Sequence, residues 1–215
     1  MSARDSPRRG RPPKTSLQDI VDTAVAQLTA EPDKPLSLHR IARALDITPM
    51  AIYHYAADRD ELLQAVTNHM LQDLQPEVPD QPWPEQLRYW ALSLRDYFLD
   101  RPALLNLLGW QQHVASAWLS QLAILARILR RAGLAGAPLA DTVQWVSNTV
   151  MGAIFMEIAG KQSGFKVSKS DIRKLPQEDA VPVLAMMEHL WQKNARTVFA
   201  EGVDRIVLAV SAGQQ

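Results

Sequence analysis

No cysteine occurs among the 215 residues. That excludes disulfide bonds and thiolate chemistry, and it is compatible with a reducing cytoplasm. Net charge is missing too, because 23 basic side chains balance 23 acidic ones. Any affinity for a polyanion must then come from a local cluster of charge. There is no run of about 18 apolar residues, so no membrane span is expected. The first residues are polar and basic with no apolar stretch, so no signal peptide is expected. Catalytic patterns are absent as well. His39, His54, His69, His113 and His189 show no metal-ligand spacing, and there is no G-x-S-x-G elbow, glycine-rich phosphate loop or dinucleotide fingerprint. Glu157 and Glu188 lie on predicted helices as ordinary, partly exposed carboxylates. These absences point away from an enzyme, a metal and any cofactor.

What is present is helical periodicity. Apolar residues make up 47% of the chain, ample for a core. An all-α fold is expected, with a small N-terminal head joined to a larger helical body. In the head, Leu17, Ile20, Val21, Ala24, Val25 and Leu28 form one stripe of a first helix. Ser37 is placed to cap a second, whose inward positions are Leu38, Ile41, Ala42 and Leu45. Asp46 and Ile47 make a turn. Thr48 caps a third helix over about 49–55, with Pro49 at its first position, where a missing N–H costs nothing. Ile52 is its inward anchor, leaving Pro49, Met50, Tyr53 and His54 outward. A fourth helix follows, with Leu62, Leu63, Val66, Met70 and Leu74 inward. A short helix crossed by a preceding one, showing aromatic and hydrogen-bonding groups, is the docking geometry of a helix-turn-helix reader of the DNA major groove.

The segments GRPPKTSLQDIVDTAVAQL (10–28) and LSLHRIARALDITPMAIYHYAADRDELL (36–63) carry a closer likeness. Through them the chain resembles the tetracycline-repressor (TetR) family of one-component bacterial regulators, over about its first third. The resemblance implies roles for particular residues. Tyr53 matches a recognition-helix tyrosine that donates to a phosphate. Arg59 matches a lysine that grips the backbone from the start of the next helix, a favourable phosphate site. Thr48, Pro49, Met50 and His54 sit where family members read base edges, and His39 matches a base-contacting arginine of the tetracycline-responsive branch. With Arg11, Lys14 and Ser37, these residues are the candidate DNA contacts. Each has a plainer reading: Tyr53 as a packing residue, His54 and His39 as solvated surface, Arg40 and Arg43 as ordinary helix charges. Asp46 departs from the usual turn glycine and Tyr55 from a common histidine. Aspartate tolerates the left-handed backbone better than most residues, at some cost. The operator sequence does not follow, because Pro49, Met50 and His54 have no simple base code.

Local charge is uneven. Residues 1–14 hold Arg4, Arg8, Arg9, Arg11 and Lys14 against Asp5 alone. Over 16–75 the balance reverses, with Lys34, Arg40, Arg43 and Arg59 facing nine carboxylates. The expected organisation is a basic arm over 1–14, a helix-turn-helix head over 15–75 and a body over 76–215. The arm reads either as a minor-groove or backbone contact or as a solubilising tail. Four prolines within 76–84 end the preceding helix and form a stiff connector.

Beyond the connector, helices are expected over about 87–101, 104–110, 112–131, 138–160, 178–191 and 195–212, with a basic loop over 161–177. The fourth and sixth of these are apolar on more than one face and need a second partner. Val146, Val150, Ile154 and Ile158, with Phe199, Val203, Ile206 and Val210, are the expected homodimer interface. Gly152, Gly160 and Gly202 weaken helices by roughly 1 kcal/mol each, a cost that close helix contact explains. Trp90, Tyr97, Trp110, His113, Trp118, Trp145, Asn148 and Phe155 could line an apolar effector pocket carrying a few polar groups, or else be packed core. The sequence thus reads as a cytoplasmic, homodimeric regulator of double-stranded DNA with a near-palindromic operator. A repressor released by a small, largely apolar effector is favoured over an activator of the same fold. A helical interaction module that has lost DNA binding is the alternative, supported by the acidic head.

Overall fold

A computed structural model describes residues 15–108, 116–163 and 167–213. Arg11, Lys14, Trp110 and His113 lie outside the described residues. Among those described, all regular structure is helical. The chain divides into two compact units, the first ending at His69 and the second beginning at Met70. The division falls inside a helix, ahead of the proline-rich connector.

The first unit holds α1 (Leu17–Ala30), α2 (Leu38–Ala44), α3 (Pro49–Ile52) and most of α4 (Arg59–Leu71). Ser16 starts α1 with a capping box. Its hydroxyl accepts from the Asp19 N–H at 3.2 Å while its own N–H donates to the Asp19 carboxylate at 2.7 Å. The Ser16 hydroxyl also donates to that carboxylate at 2.7 Å, and this bond first, then the one from the Ser16 N–H, holds the Asp19 carboxyl below its ordinary range. Ile20, Ala24, Ile41, Ala42, Ile52, Leu62 and Val66 are almost fully buried. Each comes from the inward stripe of its helix, so the small core follows from periodicity alone. Ser37 differs from expectation: it precedes α2 but its side chain makes no capping bond.

The second unit begins with Met70 and Leu71 of α4. It continues through α5 (Trp83–Asp100), α6 (Ala103–Leu108), α7 (Ser116–Arg131), α8 (Gly136–Ser163), α9 (Lys169–Ile172), α10 (Gln177–Trp191) and α11 (Ala195–Ala212). The helix α9 occupies part of the expected loop. Ser168 and Asp171 build a capping box there, which the neighbouring lysines and glycine masked as loop composition. α5 is the central element and packs on α7, α8 and α11. Its Leu87, Trp90, Ala91, Leu94 and Phe98 are buried.

One buried ion pair ties three of these helices together. Arg95 of α5 is 5% exposed and donates through Nε and Nη2 to Glu157 of α8, at 2.8 and 2.6 Å. Its Nη1 donates to Asp96 at 2.9 Å, and the guanidinium lies 5.7 Å from the ring centroid of Phe199 in α11. Glu157 is therefore no ordinary surface carboxylate, since burying a guanidinium demands a paired acceptor.

Val146, Val150, Ile154, Ile158, Phe199, Val203, Ile206 and Val210 are all buried within the single chain, none more than 6% exposed. These rows pack α8 and α11 against their own core. The opposite sides remain open, with Trp145, Phe155, Met156, Val198 and Leu208 exposed. A Cβ at Gly152, Gly160 or Gly202 would meet open space within this chain. In α10 no residue is buried, and Val181, Met186, Leu190 and Trp191 are exposed.

Removing one partner of the buried pair should leave the other charge poorly compensated. Glu157→Ala is expected to lower the stability of the second unit by about 3 kcal/mol, and Arg95→Met with Glu157→Leu to restore most of it. All six tryptophans lie between Trp83 and Trp191, so urea unfolding followed by tryptophan fluorescence reports on this unit.

Candidate nucleic-acid interface

The α2–α3 corner is built by a Schellman turn. Asp46 has φ 54°, the left-handed conformation that this motif needs after a helix. The Ile47 N–H donates to the Ala42 carbonyl at 3.0 Å and the Asp46 N–H to the Arg43 carbonyl at 3.3 Å. Two orphan carbonyls of α2 are thereby satisfied. The chain then re-enters a helix at once. The Thr48 hydroxyl accepts from the Ala51 N–H at 3.2 Å, and Pro49 opens α3. Regular helix stops at Ile52, short of the expected end. Tyr53, His54 and Tyr55 continue as turns, their N–H groups donating three residues back at 3.2, 3.2 and 2.9 Å. Residues 48–55 still form one ridge anchored by buried Ile52.

That ridge carries most of the candidate contacts. Met50 is 71% exposed. Thr48 and His54 are exposed, and Pro49 and Tyr53 are half-buried. His39 is exposed on α2, Ser37 is half-buried just before it, and Arg59 is exposed at the start of α4. The side chains of His39, Tyr53, His54 and Arg59 make no hydrogen bond or ion pair with another described residue. Arg40, by contrast, is paired with Glu31.

The setting of Arg59 differs from expectation. The Glu61 N–H donates to the Asp58 carboxylate at 2.8 Å, and the Glu61 carboxylate accepts from the Ala57 N–H. The first turn of α4 is thus already capped by its own carboxylates, with Asp60 beside them. A phosphate there would meet the Arg59 guanidinium but not a free, positive helix end. The spacing Asp58-x-x-Glu61 was the available signal.

The expected effector residues that are described differ in exposure. Trp90 is fully buried, and its Nε1 has no hydrogen-bond partner. Tyr97 and Trp118 are half-buried. Trp145, Asn148 and Phe155 are exposed on α8, because the inward side of that helix is taken by the row from Val146 to Ile158. The Tyr97 hydroxyl donates to the Met70 carbonyl. Burial pushes its phenol above the ordinary range, while the Arg101 guanidinium, 4.1 Å from the ring centroid, acts the other way. Gln121 belongs to the same arrangement and was not anticipated. It is fully buried in α7, its Nε2 donates to the Leu74 carbonyl, and its Oε1 is unpartnered. A glutamine four residues before buried Leu125 was the sequence signal: a polar group on an inward stripe.

No protein-family model and no curated protein matches the sequence. Solved structures do match. The chain is similar to the TetR-family protein ActR of Streptomyces coelicolor in complex with actinorhodin, at 22% identity over 93% of this chain and 98% of that one, with a TM-score of 0.77. It is also similar to BioQ of Mycobacterium smegmatis, at 24% identity over 92% and 99%, with a TM-score of 0.68. BioQ bound to its natural double-stranded DNA operator gives a TM-score of 0.64 at the same identity and coverage. The chain therefore has the all-α fold of the TetR-family regulators.

Thr48→Ala removes the α3 cap and should lower the stability of the first unit by about 1 kcal/mol, whereas Thr48→Ser should be nearly neutral. Thermal unfolding followed by circular dichroism checks both.

Proposed function

We propose that this chain is a homodimeric, DNA-binding transcriptional regulator of the TetR type, acting as a repressor released by a small effector. The observation that carries the reading is the exposed ridge over 48–55, held by a Schellman turn and an N-cap, with Met50, Tyr53 and His54 left open. BioQ, solved with its own operator, supports the same use of the fold. Tyr53 and Arg59 then grip phosphates, while Thr48, Pro49, Met50, His54 and His39 face base edges. Phosphate contacts set the register, and base-edge contacts supply sequence preference. Arg11 and Lys14 belong to a basic arm that adds salt-dependent affinity.

A second copy has a face to occupy. The open sides of α8 and α11 present Phe155, Met156 and Leu208. Gly202 and Met156 also line an apolar groove of about 470 Å³ together with Val198 and Leu190. A two-fold dimer built there offers two recognition ridges to half-sites about one helical turn apart, which implies a near-palindromic operator.

Control passes through α4, which begins in the first unit and whose Met70 carbonyl is held in the second by Tyr97, while Gln121 holds the Leu74 carbonyl three residues beyond the helix. An effector in the body shifts α4 and so the separation of the two ridges. It does so only by binding the two spacings with different affinity. ActR has been solved with actinorhodin and with (S)-DNPA, which supports a small-molecule effector here. A second reading, an interaction module without DNA binding, rests on the four basic against nine acidic side chains over 16–75.

Fluorescence anisotropy with the duplex upstream of its own gene, at several salt concentrations and against a scrambled duplex, tests the reading. Sequence-dependent binding by two subunits or a multiple is expected; equal, weak binding to that duplex, its scramble and random duplexes alike would favour the module. Tyr53→Phe should cost about 1 kcal/mol of operator binding. Deleting residues 1–11 should weaken binding to all sequences and flatten the salt dependence. Leu208→Glu, at an exposed position, should yield folded monomers in light scattering; unchanged dimers would place the interface elsewhere.

A further inference from the structure

The connector over 75–80 is more than a spacer. It is tied down at both ends. The Gln121 Nε2 of α7 donates to the Leu74 carbonyl at its start. At its far end the Gln86 Nε2 of α5 donates to the Pro79 carbonyl at 2.9 Å, and Asp80 faces Arg131 of α7 at 3.4 Å. Between these ties the strap stands off α7 and leaves an elongated groove of about 550 Å³, a volume suited to a small molecule. The groove follows α7 from Ser120 to Arg131, roughly 16 Å at the helical rise of about 1.5 Å per residue.

Its lining is divided by chemistry. Val78 and Pro76 of the strap face Ala123, Ile124 and Ile128 of α7, giving an apolar slot. Arg127 and Arg131, one turn apart, also line it, against a single lining carboxylate, Glu77. Arg127 is exposed and makes no ion pair or hydrogen bond with another described residue. Arg131 is held only by Asp80, whose side chain is 97% exposed. So exposed a pair gains little in water, and Arg131 is free to exchange it for a better-placed anion. A guanidinium beside an apolar slot suits a carboxylate that carries a hydrocarbon tail, because the fork accepts the head while the tail leaves water.

We propose that this groove binds an amphipathic, medium-chain carboxylate, with its head on Arg127 and Arg131 and its tail against Ile124, Ile128 and Val78. The inference gives the effector of the proposed regulator a chemical class and a place apart from the aromatic residues, and its regulatory meaning rests on that reading. A bound tail bridges α7 and the strap, which continues directly from α4. Occupancy therefore fixes the residues that follow Leu74.

The test is isothermal titration of the full-length protein, without DNA, using decanoate and its uncharged counterpart decanol. Decanoate should bind once per chain and at least about tenfold more tightly than decanol, and Arg127→Gln should remove most of that preference. Glu77→Gln should tighten decanoate, since a repelling carboxylate is gone. Because the chain has no cysteine, a lone thiol from Val78→Cys reports the site directly: decanoate should slow its alkylation by a maleimide. Equal binding of the two probes, an Arg127→Gln variant that still prefers decanoate, or an unprotected thiol at saturating decanoate would each overturn the proposal. Operator binding is not read in any arm, so failure here is separate from failure of the DNA-binding reading.

Discussion

A helix leaves its last carbonyl groups without partners, and what satisfies them decides what the helix is attached to. In this chain the helix that matters is α4. Its first unit ends at His69, and its final turn and the residues after it belong to the second unit. Tyr97 supplies a donor to the Met70 carbonyl and Gln121 one to the Leu74 carbonyl. One donor comes from α5 and the other from α7. α5 is thereby tied to the end of α4 and α7 to the residues that follow it, through hydrogen bonds whose loss would strand buried polar groups, each at about 1–3 kcal/mol.

The same economy explains the core of the body. α5 is buried along Leu87, Trp90, Leu94 and Phe98, and three other helices use that stripe. Arg95 interrupts it with a charge. An apolar residue of similar volume would serve stability as well or better, so stability alone does not account for it. Its two bonds to Glu157 and its approach to Phe199 fix how α8 and α11 sit along α5. A guanidinium fork accepts one geometry, whereas leucines would tolerate several. The pair thereby favours one placement of α8 along α5.

Much of this was legible in the sequence, and the failures share one cause. Elements with a single apolar stripe were read with their correct faces: α1, α5, and Ile52 as the anchor of α3. The Thr48 cap and the strained Asp46 turn were legible because local chemistry sets them. α8 was different. Its apolar residues cover more than one side, so periodicity showed that two partners exist but not which row meets which. The row from Val146 to Ile158, assigned to a second copy, is buried in the single chain while its Val150 also lines the open groove, and Phe155, read as a pocket residue, is exposed. A pattern in one helix contains no information on the direction of its own core. Gln121, Arg95 and Glu157 were passed over for a related reason: their partners are 47 and 62 residues away, beyond any local signal.

The charge of the first unit bears on how such a head would read DNA. Arg59 stands among Asp58, Asp60 and Glu61, and two of these already cap α4. Arg40 is committed to Glu31. Few cations remain to neutralise phosphates, so a head of this kind releases few counterions and its own salt dependence is shallow. Attraction then falls to the five basic residues within 1–14, which act on any sequence alike. Under the proposed reading, discrimination falls to Thr48, Met50 and His54 on the ridge. On that reading the two tasks separate along the chain: affinity without preference would come from the arm, and preference with little intrinsic affinity from the ridge. Such a division makes the spacing of two ridges decisive, because a head that cannot hold DNA by charge depends on both copies fitting at once.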